Sequence, residues 1–173
     1  MEEHPARHVN SALPPVLRLI VSNGPRIRGA LPVPEVRRVI RMTLRTARIQ
    51  QPVRVWVSWV RDEEMRRLNR RTRGKNRTTD VLSFAFAASA FWPEKIRDLG
   101  DMVIAPETAR REAVRRRCTY REECMLLLAH GTLHLLGFDH AVRAPRARMF
   151  RLQNRIMRKL GAPSLALPLM GDP

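Results

Sequence analysis

Three histidines stand close together in the second half of the chain. His130 and His134 are four residues apart, and His140 follows six residues later, after Gly137. On a helix, side chains four positions apart lie on the same face, so the first two imidazoles can chelate one metal ion. Gly137 can turn the chain sharply and return His140 as a third ligand. Three protein ligands leave a fourth position for water, which is the catalytic rather than the structural arrangement.

The same spacing occurs in one class of zinc peptidases, whose motif is H-E-x-x-H-x-x-G-x-x-H. In that motif the residue after the first histidine is a glutamate that serves as the general base. Here this position is Gly131, which has no side chain. The pattern therefore predicts a metal site and argues against peptidase activity.

The chain is strongly basic. Lys and Arg number 33 against 16 Asp and Glu, for a formal net charge of +17, and most of the positive charge is arginine. The guanidinium fork binds phosphate through two hydrogen bonds and stacks on bases. A codon bias would explain the choice of Arg over Lys but not the excess of charge. The composition therefore predicts contact with nucleic acid or a ribonucleoprotein.

Length and hydropathy are those of one globular domain. The chain has 173 residues, of which 44% are hydrophobic, and this is enough to bury a core. No apolar run approaches the roughly 20 residues that span a bilayer, and the N-terminus lacks the apolar segment of a secretory signal. A cytoplasmic protein without a membrane partner is expected. Cys118 and Cys124 are expected to be reduced thiols.

The periodicity of apolar residues predicts the element order β-α-β-α-β-β-α-α-α. Strands are expected at residues 16–21, 53–60, 81–87 and 99–105. Helices are expected at residues 34–49, 62–69, 106–117, 121–136 and from about 146 to 160. This order favours a small α+β or three-layer domain, with a four-stranded mixed sheet packed with about five helices.

The fourth helix is almost entirely apolar after its first turn, so it is expected to be buried at the centre and to carry the metal-binding histidines. The domain is expected to span residues 16–161. Residues 1–15 are expected to form a disordered tail, and residues 162–173 a C-terminal tail. Asp62 is expected to cap the second helix.

Two basic segments accompany these elements. The first helix has an outer face of arginines. This face either binds RNA or is only a solvated surface, and both interpretations stay open. The segment 70–79 is expected to be a polar loop that carries Arg70, Arg71, Arg73, Lys75 and Arg77.

Three segments of the chain fit the sequence pattern of one known protein family. Residues 130–140 match its pattern H-G-x-L-H-L-x-G-[YF]-D-H throughout. Residues 73–84 are similar to R-G-K-D-x-P-T-D-V-L-S-F, and residues 99–105 to L-G-D-I-x-I-S. Together these segments resemble the YbeY family of bacterial rRNA maturation endoribonucleases, and the resemblance covers roughly residues 16–161. The chain departs from the family pattern at Asn76, Thr78 and Ala105, and in an Arg-rich stretch after His140.

This resemblance implies a single-strand-preferring endoribonuclease that matures the 3′ end of 16S rRNA and takes part in ribosome quality control. It implies one zinc ion held by His130, His134 and His140, and a functional role for Arg73. The implied partners are single-stranded RNA, ribosomal RNA, and the small ribosomal subunit with its proteins. Arg73 is the natural clamp for phosphoryl oxygens, because its fork matches two of them.

Several alternatives stay open at this point. Asp139 either orients a ligand histidine or a metal-activated water, or only caps the turn. Asp80 is expected to organise the end of its loop. The attacking nucleophile is either water or the RNA 2′-hydroxyl. The chain could also be a non-catalytic, zinc-stabilised assembly factor that binds rRNA, or another metallohydrolase such as a peptidase.

Overall fold

The computed structural model describes residues 16–22, 27–86, 96–138 and 143–162. Within these ranges the chain forms four strands and five helices in the predicted order. The strands are β1 (Leu17–Ser22), β2 (Val53–Trp59), β3 (Val81–Ala85) and β4 (Arg97–Ile104). The helices are α1 (Val33–Thr46), α2 (Asp62–Arg73), α3 (Pro106–Arg116), α4 (Tyr120–Leu135) and α5 (Arg143–Leu160).

The predicted tails fall almost entirely outside the described ranges, so the domain limits stay a prediction. Among the helices that the structure describes, none is long and apolar enough to cross a membrane.

The four strands form one mixed sheet in the order β1-β2-β4-β3. β1 and β4 both pair with β2 in parallel, whereas β3 pairs with β4 in the antiparallel direction. Alternate side chains of β2 are fully buried, because successive residues of a strand point to opposite faces of the sheet. This sheet and its five helices confirm the α+β fold that the sequence predicts.

The central helix of the fold is α4. Eleven of its sixteen residues are buried, and it packs against β3, β4, α1, α3 and α5. A capping box starts the helix: the Thr119 hydroxyl accepts from the Glu122 N–H, and the Glu122 carboxylate accepts from the Thr119 N–H. The prediction of a buried central helix is therefore confirmed; His130 and His134 lie on it, and their role as metal ligands stays a prediction.

Gly131 allows α4 to lie close to the sheet. A Cβ atom at this position would lie 2.8 Å from Sδ of Met102 on β4 and 2.9 Å from Oγ of Ser83 on β3. The position that holds the general base in the peptidase motif is thus packed against two strands. This packing supports the argument from the sequence against a peptidase.

Gly131→Val is expected to lower the free energy of unfolding by about 1–3 kcal/mol, because the added atoms overpack the contact between α4 and the sheet. Gly131→Ala should lower the free energy of unfolding by less than Gly131→Val does. The thioether end of Met102 can move, and alanine favours a helix by about 1 kcal/mol over glycine. Urea unfolding of both variants measures the difference. A valine variant as stable as the wild type would contradict the close packing at this position.

The second helix is longer than predicted, and it changes the setting of Arg73. Residues 70–79 were expected to form a loop, but α2 continues to Arg73 and ends at Gly74, whose φ is +68°. Glycine adopts this left-handed conformation readily, so it stops the helix at this point. Arg73 is therefore the last residue of a helix, and the prediction that places it in a loop is wrong.

The prediction that Asp62 caps α2 is also wrong, because the N-cap residue is Arg61. The Asp62 carboxylate instead accepts from the N–H and the hydroxyl of Thr108, at 3.2 and 2.7 Å, in the first turn of α3. The Glu107 carboxylate in turn accepts from the Asp62 N–H at 3.0 Å. These hydrogen bonds join the start of α2 to the start of α3. They thereby fix the position of the helix that ends in Arg73.

Candidate metal centre

A cleft of about 640 Å³ lies along β3, an edge strand of the sheet. Its walls come from the end of α2, from β3 and from the end of α4, and the lining residues are Arg73, Thr79, Asp80, Val81, Ser83, Ala85, His130, His134, Gly137 and Phe138. The fold therefore brings Arg73, His130 and His134 to one place from two separate segments. The other two predicted site residues, Asp139 and His140, lie outside the described residues.

The imidazoles of His130 and His134 meet at the same face of α4. Their Nε2 atoms are 3.1 Å apart, and the two rings are close to perpendicular, at 78°. A tetrahedral zinc ion at about 2.0–2.1 Å from two nitrogens requires these nitrogens to be roughly 3.3–3.4 Å apart. The observed separation is only slightly shorter, so the two histidines fit as ligands of one ion.

A third residue, Gln153 of α5, orients His130. The amide oxygen of Gln153 lies 2.9 Å from Nδ1 of His130, and Gln153 is fully buried. Because an amide oxygen only accepts, Nδ1 carries the proton and the lone pair lies on Nε2, the atom that faces His134. Metal-binding histidines commonly donate their second N–H to an oxygen in this way. The sequence contains no signal for this contact, since Gln153 lies 23 residues away on another helix.

A left-handed turn at Gly137 ends α4 beside the cleft. Gly137 has a φ of +88°. Its N–H donates to the His134 carbonyl at 2.9 Å, and the Phe138 N–H donates to the Leu133 carbonyl at 3.0 Å. These are the two hydrogen bonds of a Schellman motif. The turn confirms that Gly137 ends the helix, and it brings Phe138 to the cleft.

Hydrogen bonds hold the loop between α2 and β3 at the opposite wall. The side-chain N–H of Asn69 donates to the Arg77 carbonyl at 2.8 Å. The Asp80 carboxylate accepts from the Val81 N–H at 2.9 Å, as expected of a residue that organises the end of this loop. The Arg73 side chain is exposed where this loop begins, so its guanidinium is accessible to a ligand in the cleft.

Cys118 and Cys124 are free thiols, as expected. Burial raises the pKa of Cys118 to about 11 and the pKa of Cys124 to about 12. Both groups therefore stay protonated at neutral pH, whereas a metal binds the thiolate. Neither cysteine lines the cleft, so neither is a candidate metal ligand there.

A family model described as Endoribonuclease YbeY matches residues 33–161 of this chain. Three relatives carry the name endoribonuclease YbeY. The one from Frankia alni is 37% identical over 75% of this chain and 76% of its own length. The one from Caldanaerobacter subterraneus is 35% identical over 72% and 84% of the two chains. The one from a Sulfurihydrogenibium species is 40% identical over 62% and 70%.

The fold also resembles a solved structure. The solution structure of TM1509 from Thermotoga maritima superposes with a TM-score of 0.55 at 20% identity, over 91% of this chain and all of the other. The chain is therefore an α+β protein, and its sequence relatives are named endoribonucleases. The chain belongs to the endoribonuclease YbeY family, which confirms the resemblance seen in its three motifs.

Proposed function

We propose that this chain is a zinc-dependent endoribonuclease that cleaves single-stranded RNA. The observation that carries the proposal is the meeting of His130, His134 and Arg73 at one cleft. The names of the relatives support RNA as the substrate. In this proposal His140, which follows the turn at Gly137, completes the ligand set for one zinc ion.

The side chains divide the chemistry among them. Bound zinc would supply Lewis-acid chemistry at the scissile phosphate and lower the pKa of a water molecule. Arg73 donates two N–H groups to phosphoryl oxygens, on which negative charge grows in the transition state. Gln153 keeps the Nδ1 proton of His130 in place. Asp139 is the proposed group that orients a ligand histidine or a metal-activated water.

The proposed substrate is ribosomal RNA near the 3′ end of 16S rRNA, and the proposed processes are rRNA maturation and ribosome quality control. The small ribosomal subunit is the proposed partner. The net charge of +17 supports a polyanionic substrate of this kind. The position of the cleft along an edge strand also supports it, since a strand of RNA can lie across an open sheet edge.

A second candidate function is a zinc-stabilised rRNA-binding factor without catalysis. This alternative is favoured by the place of His130 and His134 on the buried central helix, where a bound ion would stabilise the fold.

Incubation of the zinc-loaded protein with single-stranded and duplex RNA, with and without chelator, separates the two functions. Cleavage of single-stranded RNA that stops with chelator and returns with zinc is the result expected of the nuclease. The double variant His130→Ala/His134→Ala, purified in the same way, controls for contaminating nuclease. RNA binding without cleavage above this control would favour the assembly factor.

Gln153→Leu is expected to lower the affinity for zinc by about 10–100-fold, because the Nδ1 proton of His130 loses its acceptor. Competition with a zinc-sensitive dye measures this affinity without any assay of activity. Gln153→Glu, which keeps an acceptor oxygen at the same distance, is the matched control. If both variants bound zinc as tightly as the wild type, the hydrogen bond would have no role in orienting the ligand.

A further inference from the structure

A second groove lies beside the candidate cleft. It has a volume of about 310 Å³ and runs between the end of α1 and α5, and its lining residues are Thr46, Ala47, Arg48, Phe138, Arg148, Arg151, Leu152 and Arg155. Phe138 lines both the cleft and this groove, so the two are adjacent. We propose that this arginine groove binds the phosphates of single-stranded RNA that extends from the cleft. The inference rests on the proposed function, because it assigns a second subsite to the same substrate.

Charge is the first argument. Arg148, Arg151 and Arg155 follow one another at spacings of three and four, so they share one face of α5, and all three are exposed. Arg48 faces the same groove from the end of α1. The ion pairs among the described residues include none of these four side chains. Like charges at this helical spacing repel, and a bound anion would remove the repulsion.

The aromatic ring in the groove favours RNA over an acidic protein. The guanidinium carbon of Arg148 lies 5.6 Å from the centre of the Phe138 ring. An aromatic ring beside a guanidinium is a typical surface for stacking bases of single-stranded nucleic acid, whose phosphates then bind the neighbouring positive charges. An acidic peptide would use the arginines but would gain nothing from stacking. A strand with one phosphate at Arg73 can therefore continue past Phe138 into the groove.

The backbone of Arg48 makes a sharp test possible. Arg48 has a φ of +60°, and it follows the end of α1. Glycine adopts this left-handed conformation without steric cost. Arg48→Gly therefore removes a guanidinium from the groove while it favours the native backbone. A loss of RNA binding in this variant cannot come from unfolding if the melting temperature is unchanged or higher.

Arg117 is a matched control for Arg48. It is also an exposed arginine at the end of a helix, α3, and its φ is +56°. The sixteen residues of α4, about 24 Å of helix, separate it from the turn at Phe138. Arg117→Gly therefore makes the same change in charge and in backbone preference, but outside the groove.

The experiment measures fluorescence anisotropy of a labelled trinucleotide and a labelled dodecanucleotide RNA with the zinc-loaded protein, and a gel verifies that the RNA is intact. Each lost phosphate contact lowers the steepness of the plot of log affinity against log salt by about 0.7. At about 0.15 M salt this corresponds to a loss of about fourfold in affinity. Arg48→Gly should therefore weaken dodecanucleotide binding about fourfold. Arg148→Gln/Arg151→Gln/Arg155→Gln should weaken it about 50-fold and lower the slope by about 2. Arg117→Gly should keep the wild-type affinity and slope.

Any of the following outcomes would overturn the inference: equal losses in Arg48→Gly and Arg117→Gly, unchanged dodecanucleotide binding in the triple variant, or losses as large for the trinucleotide as for the dodecanucleotide. Groove variants that lose binding to a polyglutamate peptide but keep RNA binding would also overturn the inference, in favour of an acidic protein partner. RNA that binds in the groove but is never cut would contradict the proposed function and leave the groove standing. Cleavage with no effect of the groove variants would contradict the groove alone.

Discussion

Arg73→Ala is expected to slow cleavage of single-stranded RNA by about 10²–10³-fold. The exposed side chain of Arg73 stands in the wall of the cleft that also contains the histidine pair. In the proposed mechanism, the guanidinium at this place stabilises the charge that grows on the phosphoryl oxygens, and this stabilisation acts mainly in the transition state. Initial rates under single-turnover conditions measure the effect. RNA affinity should fall only modestly, because many other arginines remain.

Two comparisons make this result specific. Arg71 lies in the same last turn of α2 and is exposed, but it does not line the cleft. Arg71→Ala removes the same charge two residues away and should leave the rate nearly unchanged. Arg73→Lys should restore little activity, since a point charge cannot replace a bidentate fork. Equal losses in the two alanine variants would assign the effect to net charge rather than to a clamp.

The melting temperature and zinc content of Arg73→Ala should match those of the wild type. The side chain is exposed, and the start of α2 is held by the bonds of Asp62 to Thr108, at the far end of the helix. A large fall in stability would show that Arg73 has a structural role.

The double variant His130→Ala/His134→Ala is expected to lose zinc and cleavage together. The Nε2 atoms of these residues face each other at 3.1 Å, so each substitution removes one of the two nitrogens proposed to bind the metal. Loss of metal chemistry worth several kcal/mol corresponds to a fall in rate of about 10³-fold or more. Zinc content per chain after dialysis, measured by mass spectrometry, is the direct readout.

Thermal unfolding with added zinc provides an independent readout. A ligand that binds only the folded state at 100 times its Kd adds about 2.7 kcal/mol to the stability. The wild type should therefore melt at a higher temperature with zinc, and the double variant should not. His4→Ala/His8→Ala removes a pair with the same spacing near the N-terminus and is the matched control. Full zinc content in the His130/His134 variant would contradict the proposed metal centre.

The periodic parts of this fold were predictable from the sequence. Short alternating strands and an almost entirely apolar α4 carry strong local signals, and the nine elements within the described residues follow the predicted order. The histidine pair was predictable for the same reason, since a spacing of four places two side chains on one face of any helix. Gly137 was also predictable, because a helix end needs a residue that tolerates a left-handed backbone.

The errors and omissions come from contacts between distant segments. Asp62 has the residue type of a helix cap, but its carboxylate binds Thr108 of another helix. Gln153 is one polar residue of an amphipathic helix until α5 packs beside His130. The arginine groove exists only because the end of α1 lies next to α5. No local pattern encodes these neighbours.

The parallel pairing of β2 with β4 has a consequence for the order in which the protein assembles. Val53 pairs with Arg97, so the two strands can meet only after all of α2 and β3 has been synthesised. Such non-local pairings fold slowly, in milliseconds to seconds rather than microseconds. The candidate metal centre needs later segments still, because Gln153 belongs to α5, the last helix that the structure describes. A growing chain is therefore expected to complete its candidate metal centre only after α5 has left the ribosome that made it.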